Sequence, residues 1–167
     1  MTTQTQEVGV ITPAMLLTHW QGHRYVTRKV IEAFPEDKLF TFSIGGMRPF
    51  GMLIKEILTL GATGLDGVVT NSWPSYQEAE NAFVMPCSKE QMLQYWDDAT
   101  KKINSAWDKI PASRFHETVK IFGQWEGPVH WSVFYFIDNE IHHRAQGYVY
   151  LRALGIEPPA FWDRGVH

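Results

Sequence analysis

The sequence predicts an all-α fold, a four-helix bundle with long connections after the second and third helices. Three observations predict it. Apolar residues recur at i, i+3 and i+4 in four separate stretches, helix start and stop residues bracket each stretch, and no segment alternates firmly enough to read as a strand. With 167 residues the chain can bury a sizeable core in one domain, and no repeat, low-complexity run or linker divides it. One domain over residues 1–167 is expected, with residues 1–11 as a loose leading segment.

The first helix begins at Thr12-Pro13, an N-cap followed by proline at the first helical position. Leu16, Trp20, His23, Thr27, Val30, Ile31 and Phe34 share one face, and Pro35 with Glu36-Asp37-Lys38 ends it. Residues 39–47 read as a loop turning at Gly45-Gly46. A second helix starts near Pro49, with Phe50, Leu53, Ile54, Ile57, Leu60 and Gly61 as its stripe. Gly61, Gly64 and Gly67 weaken its end, where fraying or a change of course is expected. Residues 70–87 are a long connection carrying Trp73, Tyr76 and Phe83; loops of that length more often cover a site than stand idle. Ser88-Lys89-Glu90-Gln91 reads as a capping box opening the third helix. Met92, Trp96, Ala99, Ile103, Ala106 and Ile110 form its face, and Pro111 its stop. Within the second long connection, residues 112–127, the stretch from His116 to Phe122 alternates well enough for a short extended piece. Pro128 opens the fourth helix, which runs to about Leu154 before Gly155 and Pro158-Pro159.

Composition excludes several classes. Charged residues make up 20% and the net charge is −3, so no basic footprint points to nucleic acid. Cys87 is the only cysteine, which rules out an intrachain disulfide framework and fits a reducing compartment. It reads as an incidental small hydrophobe rather than a catalytic thiol. The leading residues lack a basic region followed by an apolar one, and no run approaches the roughly 18 apolar residues of a spanning helix. A cytoplasmic protein with no membrane partner is expected. Aromatic residues reach 14%, with seven Trp, enough for a large core or an aromatic-lined pocket.

The chemistry concentrates in the fourth helix, at Asn139-Glu140-Ile141-His142-His143-Arg144-Ala145-Gln146. On a helical wheel Phe134, Ile137, Ile141, Ala145 and Tyr148 make one stripe. Ser132, Phe136, Asn139, His143, Gln146, Tyr150 and Leu154 make a second. Glu140 and Arg144 lie between them as an i, i+4 ion pair. A helix apolar on two faces is central, or is covered by another subunit. Asn139 and His143, one turn apart, can reach the same point. His142 lies about 100° further round, so it points elsewhere, toward a neighbouring helix or a subunit interface. A zinc-protease signature would need histidine at 139, and a di-iron site would need a second Glu-x-x-His, which is missing. A metal site shared with another helix and a metal-free polar cluster both stand. In the first helix His19 and His23 have ligand spacing, although an imidazole bonded to a neighbouring helix explains His23 as well. Glu56, on the flank of the second helix, read alone points to solvent.

These residues, with Tyr150-Leu151-Arg152 and Leu154-Gly155-Ile156-Glu157-Pro158-Pro159, resemble the C-terminal signature of the DinB-like family. The likeness extends to Trp20, to Phe34-Pro35-Glu36-Asp37-Lys38-Leu39 and to Met47-Arg48-Pro49-Phe50-Gly51. It implies a bundle of DinB-like type, frequently dimeric, holding a divalent metal on three histidines. One ligand comes from the second helix and two, at i and i+4, from the last. Some relatives are thiol-dependent transferases or isomerases in which the metal activates a low-molecular-weight thiol. Carried over by position, the ligands fall at Glu56, Asn139 and His143, of which only His143 keeps the family's residue type. His23, His142 and Gln146 are then pocket or supporting residues, and His19 with His23 are candidate replacement ligands. A carboxylate, an amide and one imidazole are a harder and weaker set than three imidazoles. Two readings follow: a homodimeric metal-dependent transferase (zinc, nickel, iron or manganese) acting with a small thiol, or a non-catalytic small-molecule-binding or interaction protein on the same scaffold. In the second reading Glu56 accepts hydrogen bonds from Asn139 and His143 where a metal would sit.

Overall fold

A computed structural model describes residues 10–165. The expected loose segment, residues 1–11, falls outside the described residues except for Val10 and Ile11, which are exposed. Helix α1 spans Pro13–Ala33, with the Thr12 hydroxyl accepting the Met15 N–H at 3.2 Å. Helix α6 spans Val129–Ala153. Its end is a Schellman turn: Gly155, at φ 76°, donates to the Arg152 carbonyl, and Ile156 donates to Leu151. Both ends were marked in the sequence because their caps are local hydrogen bonds.

Between them, α2 (Phe50–Leu58) runs through a π-helical turn (Thr59–Thr63) into α3 (Gly64–Thr70). The three glycines do not fray this helix. They change its course and accept neighbouring rings. A Cβ on Gly64 would lie 2.4 Å from Phe136 Cζ, and one on Gly61 3.3 Å from the Trp20 ring. The helix stops at Asn71, in left-handed backbone at φ 56°.

The two long connections are not loops. The first holds α4 (Tyr76–Ala82), opened by a full capping box: Ser75 Oγ accepts the Glu78 N–H while the Glu78 carboxylate accepts the Ser75 N–H. Helix α5 (Lys89–Trp107) follows. Its Ser88 cap accepts the Gln91 N–H, but the Gln91 side chain reaches Cys87 N–H, one residue before the cap, so the expected box is only half formed. Cys87 is exposed. The second connection holds a 3-10 turn (Ala112–His116) and an antiparallel pair, β1 (Thr118–Ile121) and β2 (Trp125–Pro128), in register Ile121 to Trp125. The turn joining them puts Phe122 and Gly123 at φ 51° and 69°, the left-handed pair that matches strand twist. The fold is therefore mostly helical with one small sheet. No helix among the described residues is long and apolar enough to cross a membrane.

The core is apolar at both ends and polar in the middle. One cluster gathers Trp20, Leu65, Trp107, Phe122, Val133 and Phe136; the other gathers Ile31, Phe34, Phe50, Ile54, Trp96 and Leu151. On α1 the residues between the two are His23, Arg24 and Thr27. On α6 they are Asn139, Glu140, His143 and Arg144, all buried. The polar stretch of the last long helix is thus part of a layer crossing the core. Of the wheel's first stripe, Phe134 and Ala145 are exposed, and the helix's buried side is Val133, Phe136, Ile137, Glu140, Arg144, Gly147 and Leu151.

Candidate functional site

Two polar clusters flank α6, one on each side. The first lies between α6 and α2. Close packing creates it: a Cβ on Gly147 would fall 2.5 Å from the Phe50 ring, so only glycine lets the two helices approach here. Glu56, which spacing alone assigned to solvent, turns inward because its two oxygens find donors there. Its Oε1 accepts from Asn139 Nδ2 at 2.9 Å and from His143 Nε2 at 3.0 Å. Its Oε2 accepts from Arg48 Nη2 at 2.6 Å. The Arg48 backbone is itself held by Tyr150, whose hydroxyl donates to the Arg48 carbonyl at 2.9 Å. The other ring nitrogen of His143, Nδ1, meets Gln146 Oε1 at 2.7 Å. With His143, Arg48 and Asn139 all donating to it, the Glu56 carboxyl is held down to about 2, well below its ordinary 4.5.

Asn139 carries the unresolved part of this cluster. Its amide N–H₂ must face the Glu56 carboxylate, since the reverse orientation would oppose two oxygens. That leaves Asn139 Oδ1 buried with no partner among the described residues. A buried acceptor without a donor costs about 1–3 kcal/mol. One helical turn along both elements, a cavity of about 230 Å³ is lined by Leu60, Ile121, Trp125, Trp131, Ser132 and Tyr135. Tyr76 of α4 packs edge-on against Trp125 and Phe122 above it. Aromatics of the two connections, Tyr76 and Trp125, therefore meet at this cavity, one helical turn from Glu56 and Asn139.

The second cluster lies between α6 and α1, and it holds His23, His19, Glu140 and Arg144. Glu140 is wholly buried and is not committed to Arg144. It accepts from Thr27 Oγ1 at 2.7 Å and from Trp20 Nε1 at 3.2 Å, and its charge partner is Arg24 at 3.7 Å. Arg144 instead donates to the His23 carbonyl and to His23 Nδ1, each at 3.0 Å. The reason is geometric: buried between helices, both groups bond across to α1 instead of lying along their own helix surface. His23 Nε2 lies 3.1 Å from His19 Nε2. Burial first, then the Arg144 and Arg164 charges, lower the His23 imidazole to about 3, so the ring is neutral.

Of the residues singled out in the sequence, Glu56, Asn139, His143 and Gln146 thus come together. His23 belongs to the other cluster, and His142 is exposed on the outer face of α6. Arg48, Arg24 and Arg164 were not identified as functional. Arg24 had a readable signal, one turn after Trp20 beside the apolar stripe. Arg48 had none, because it lies outside the helix that carries Glu56.

The residues at Glu56 do not suit a divalent metal. Glu56 Oε1 already accepts two N–H bonds, Asn139 turns an N–H rather than an oxygen inward, and a guanidinium already supplies the positive charge. Among the described residues no group of three His, Cys, Asp or Glu side chains gathers there or elsewhere.

Comparison with known proteins finds one matching family model and solved structures of similar fold. Residues 123–165 match the model of the DinB family. A DinB-like protein from Bacillus subtilis shares the fold at a TM-score of 0.70 and 17% identity, covering 87% of this chain and 96% of its own. A DinB-like protein from Bacillus cereus does so at 0.71 and 17%, covering 88% and 95%. No curated protein matches.

Proposed function

We propose, from its DinB-family segment at residues 123–165 and its DinB-like fold, that the chain is a small-molecule-binding protein on a DinB-like four-helix bundle, with Arg48, Glu56, Asn139 and His143 standing where relatives would hold a metal. One observation carries the reading: Glu56 already accepts from three N–H donors, one of them a guanidinium. A cation entering there would have to displace those donors and face Arg48 at contact distance, and like charges that close repel strongly. The cluster instead satisfies its charges internally and leaves one acceptor unmet, the buried Asn139 Oδ1. The ligand we infer is a largely apolar molecule that fills the aromatic cavity and donates an N–H or O–H to Asn139. The transferase reading, with a metal-activated thiol, needs the donor set that is displaced here.

Elemental analysis separates the two. Untagged protein incubated with zinc, nickel, iron or manganese and then desalted should retain far less than one metal per chain. Near-stoichiometric metal that is lost in His143→Ala would establish the transferase reading instead.

The reading retains a homodimer. On α6 the outward residues Trp131, Tyr135, Asp138, His142, Ala145 and Val149 alternate four- and three-residue steps, the seam of a helix pair. Trp131, Tyr135 and Val149 are 64%, 55% and 55% exposed along it. A second copy is the partner we infer, burying two such seams against each other. Sedimentation of the wild type should give a dimer, and Trp131→Asp with Val149→Asp should give a monomer; a wild-type monomer at micromolar concentration would reject the inference.

A further inference from the structure

The cluster on the α1 side of α6 carries more positive charge than its neighbours balance. Arg24, Lys29, Arg144 and Arg164 face two carboxylates, Glu140 and Asp163. Glu140 pairs with Arg24 and Asp163 with Lys29 at 2.8 Å. Asp97, the nearest further carboxylate to Arg24, is held by both arms of Arg28. Among the described residues Arg144 and Arg164 have hydrogen-bond partners but no ion pair. Arg144 is 5% exposed; burial lowers its pKa, and the Glu140 charge, beyond ion-pair reach, only partly opposes that. His23 gives no relief, since it is neutral and accepts from Arg144. Arg164 Nη1 lies 2.9 Å from the same ring.

A cavity adjoins this charge. About 250 Å³ in volume, it is lined by Ile141, Arg144, Ala145, Tyr148 and Phe161. Its walls are apolar except for the guanidinium at one end and the Tyr148 phenol. The phenolic oxygen is buried and has no partner among the described residues. Arg144, Arg164 and Lys29 all act on it electrostatically. A planar guanidinium, a free phenol O–H and greasy walls together recognise one chemistry: a carboxylate on an apolar body. A phosphate or nucleotide would meet no further polar group on the walls. The volume, below the roughly 300–1,000 Å³ of drug-sized ligand sites, restricts the body to a single ring or a short chain.

We propose that the cavity between Arg144, Tyr148 and Phe161 is a binding site for a small organic monocarboxylate, separate from the groove beside Glu56. The carboxylate takes the charge of Arg144 and Arg164 and accepts the Tyr148 O–H, while its apolar body lies against Ile141, Ala145 and Phe161. No covalent step is involved.

Calorimetric titration of the full chain with benzoate and with hexanoate tests this. Saturable binding at one per chain is expected. Arg164→Gln and the pocket-filling Ala145→Trp should each weaken it by about tenfold or more, and Tyr148→Phe by several-fold, as expected for lost charge-assisted and neutral hydrogen bonds. Ala145 is exposed in the single chain but lies on the proposed dimer seam, so sedimentation of Ala145→Trp accompanies its titration; Arg164 lies outside the helices, and both variants should fold even where Arg144→Gln does not. Lys120→Gln, which removes a distant exposed charge, should leave binding unchanged. No saturable binding of either acid at millimolar concentration overturns the proposal. So does equal binding by inorganic phosphate, or binding that survives Ala145→Trp.

Discussion

Glu140→Ala should destabilise the protein by about 3–5 kcal/mol, the range for breaking a buried ion pair by deleting one partner. Glu140 is 0% exposed and Arg24 is 2% exposed, so solvent cannot replace the lost carboxylate. Burial already pushes the Arg24 guanidinium down to about 10, with the Glu140 charge opposing that shift; without Glu140 the cation stands against burial almost alone. Trp20 Nε1 and Thr27 Oγ1 lose their acceptor as well. Urea denaturation followed by far-ultraviolet dichroism measures the loss. Arg24→Met combined with Glu140→Met should recover part of it, because an apolar pair leaves no bare charge. If Glu140→Ala costs under about 1 kcal/mol, the layer is not a closed core. The same experiment assigns a role to the residue: Glu140 is structural, and its variant should alter stability without touching the groove at Glu56.

Acid should unfold the protein in two stages. His23 titrates near 3 when folded and near 6.5 when unfolded. Below 6.5 the unfolded chain therefore binds a proton that the native ring refuses, and stability falls by about 1.4 kcal/mol per pH unit. Glu56 adds a second limb. Its carboxyl, held near 2 against an ordinary 4.5, contributes stability that is complete above 4.5 and lost as pH falls toward 2. Urea midpoints should thus decline from pH 6.5 to 4.5, by about 3 kcal/mol in total, and more steeply below. His23→Gln should flatten the upper limb and leave only the Glu56 share of the lower one. Glu56→Gln should keep the upper limb and make the lower one less steep. A wild-type midpoint that stays constant between pH 6.5 and 4.5 would show that His23 is not shielded as the structure has it.

Local chemistry was well read from the chain. Thr12 and Gly155 mark the ends of α1 and α6 because each cap is made within a few residues. By the same rule Ser75-Tyr76-Gln77-Glu78 should have announced α4. It is the same four-residue box sought at Ser88, and it forms more completely. The hairpin was half visible: the alternation from His116 to Phe122 marks β1, but β2 has little pattern of its own, being exposed at Trp125 and Glu126. Its partner, not its composition, makes it a strand. The three glycines after Leu60 were read for the change of course they make, but not for what they touch. Alone they weaken a helix, whereas in place Gly61 and Gly64 are contact surfaces for Trp20 and Phe136.

By itself the sequence determined the mostly helical class, the span of the long helices, and the meeting of Asn139 and His143 on one face of the last. Periodicity and caps are short-range, and they act before any helix meets another. Only the tertiary structure decided which side each charge serves. Glu56 turns from solvent because Asn139, His143 and Arg48 converge on it from two other segments. Glu140 leaves Arg144, four residues away, for Arg24, more than a hundred residues away in the chain. The reason is physical: inside the core an ionic group takes the partner that burial brings nearest, whatever its distance along the sequence.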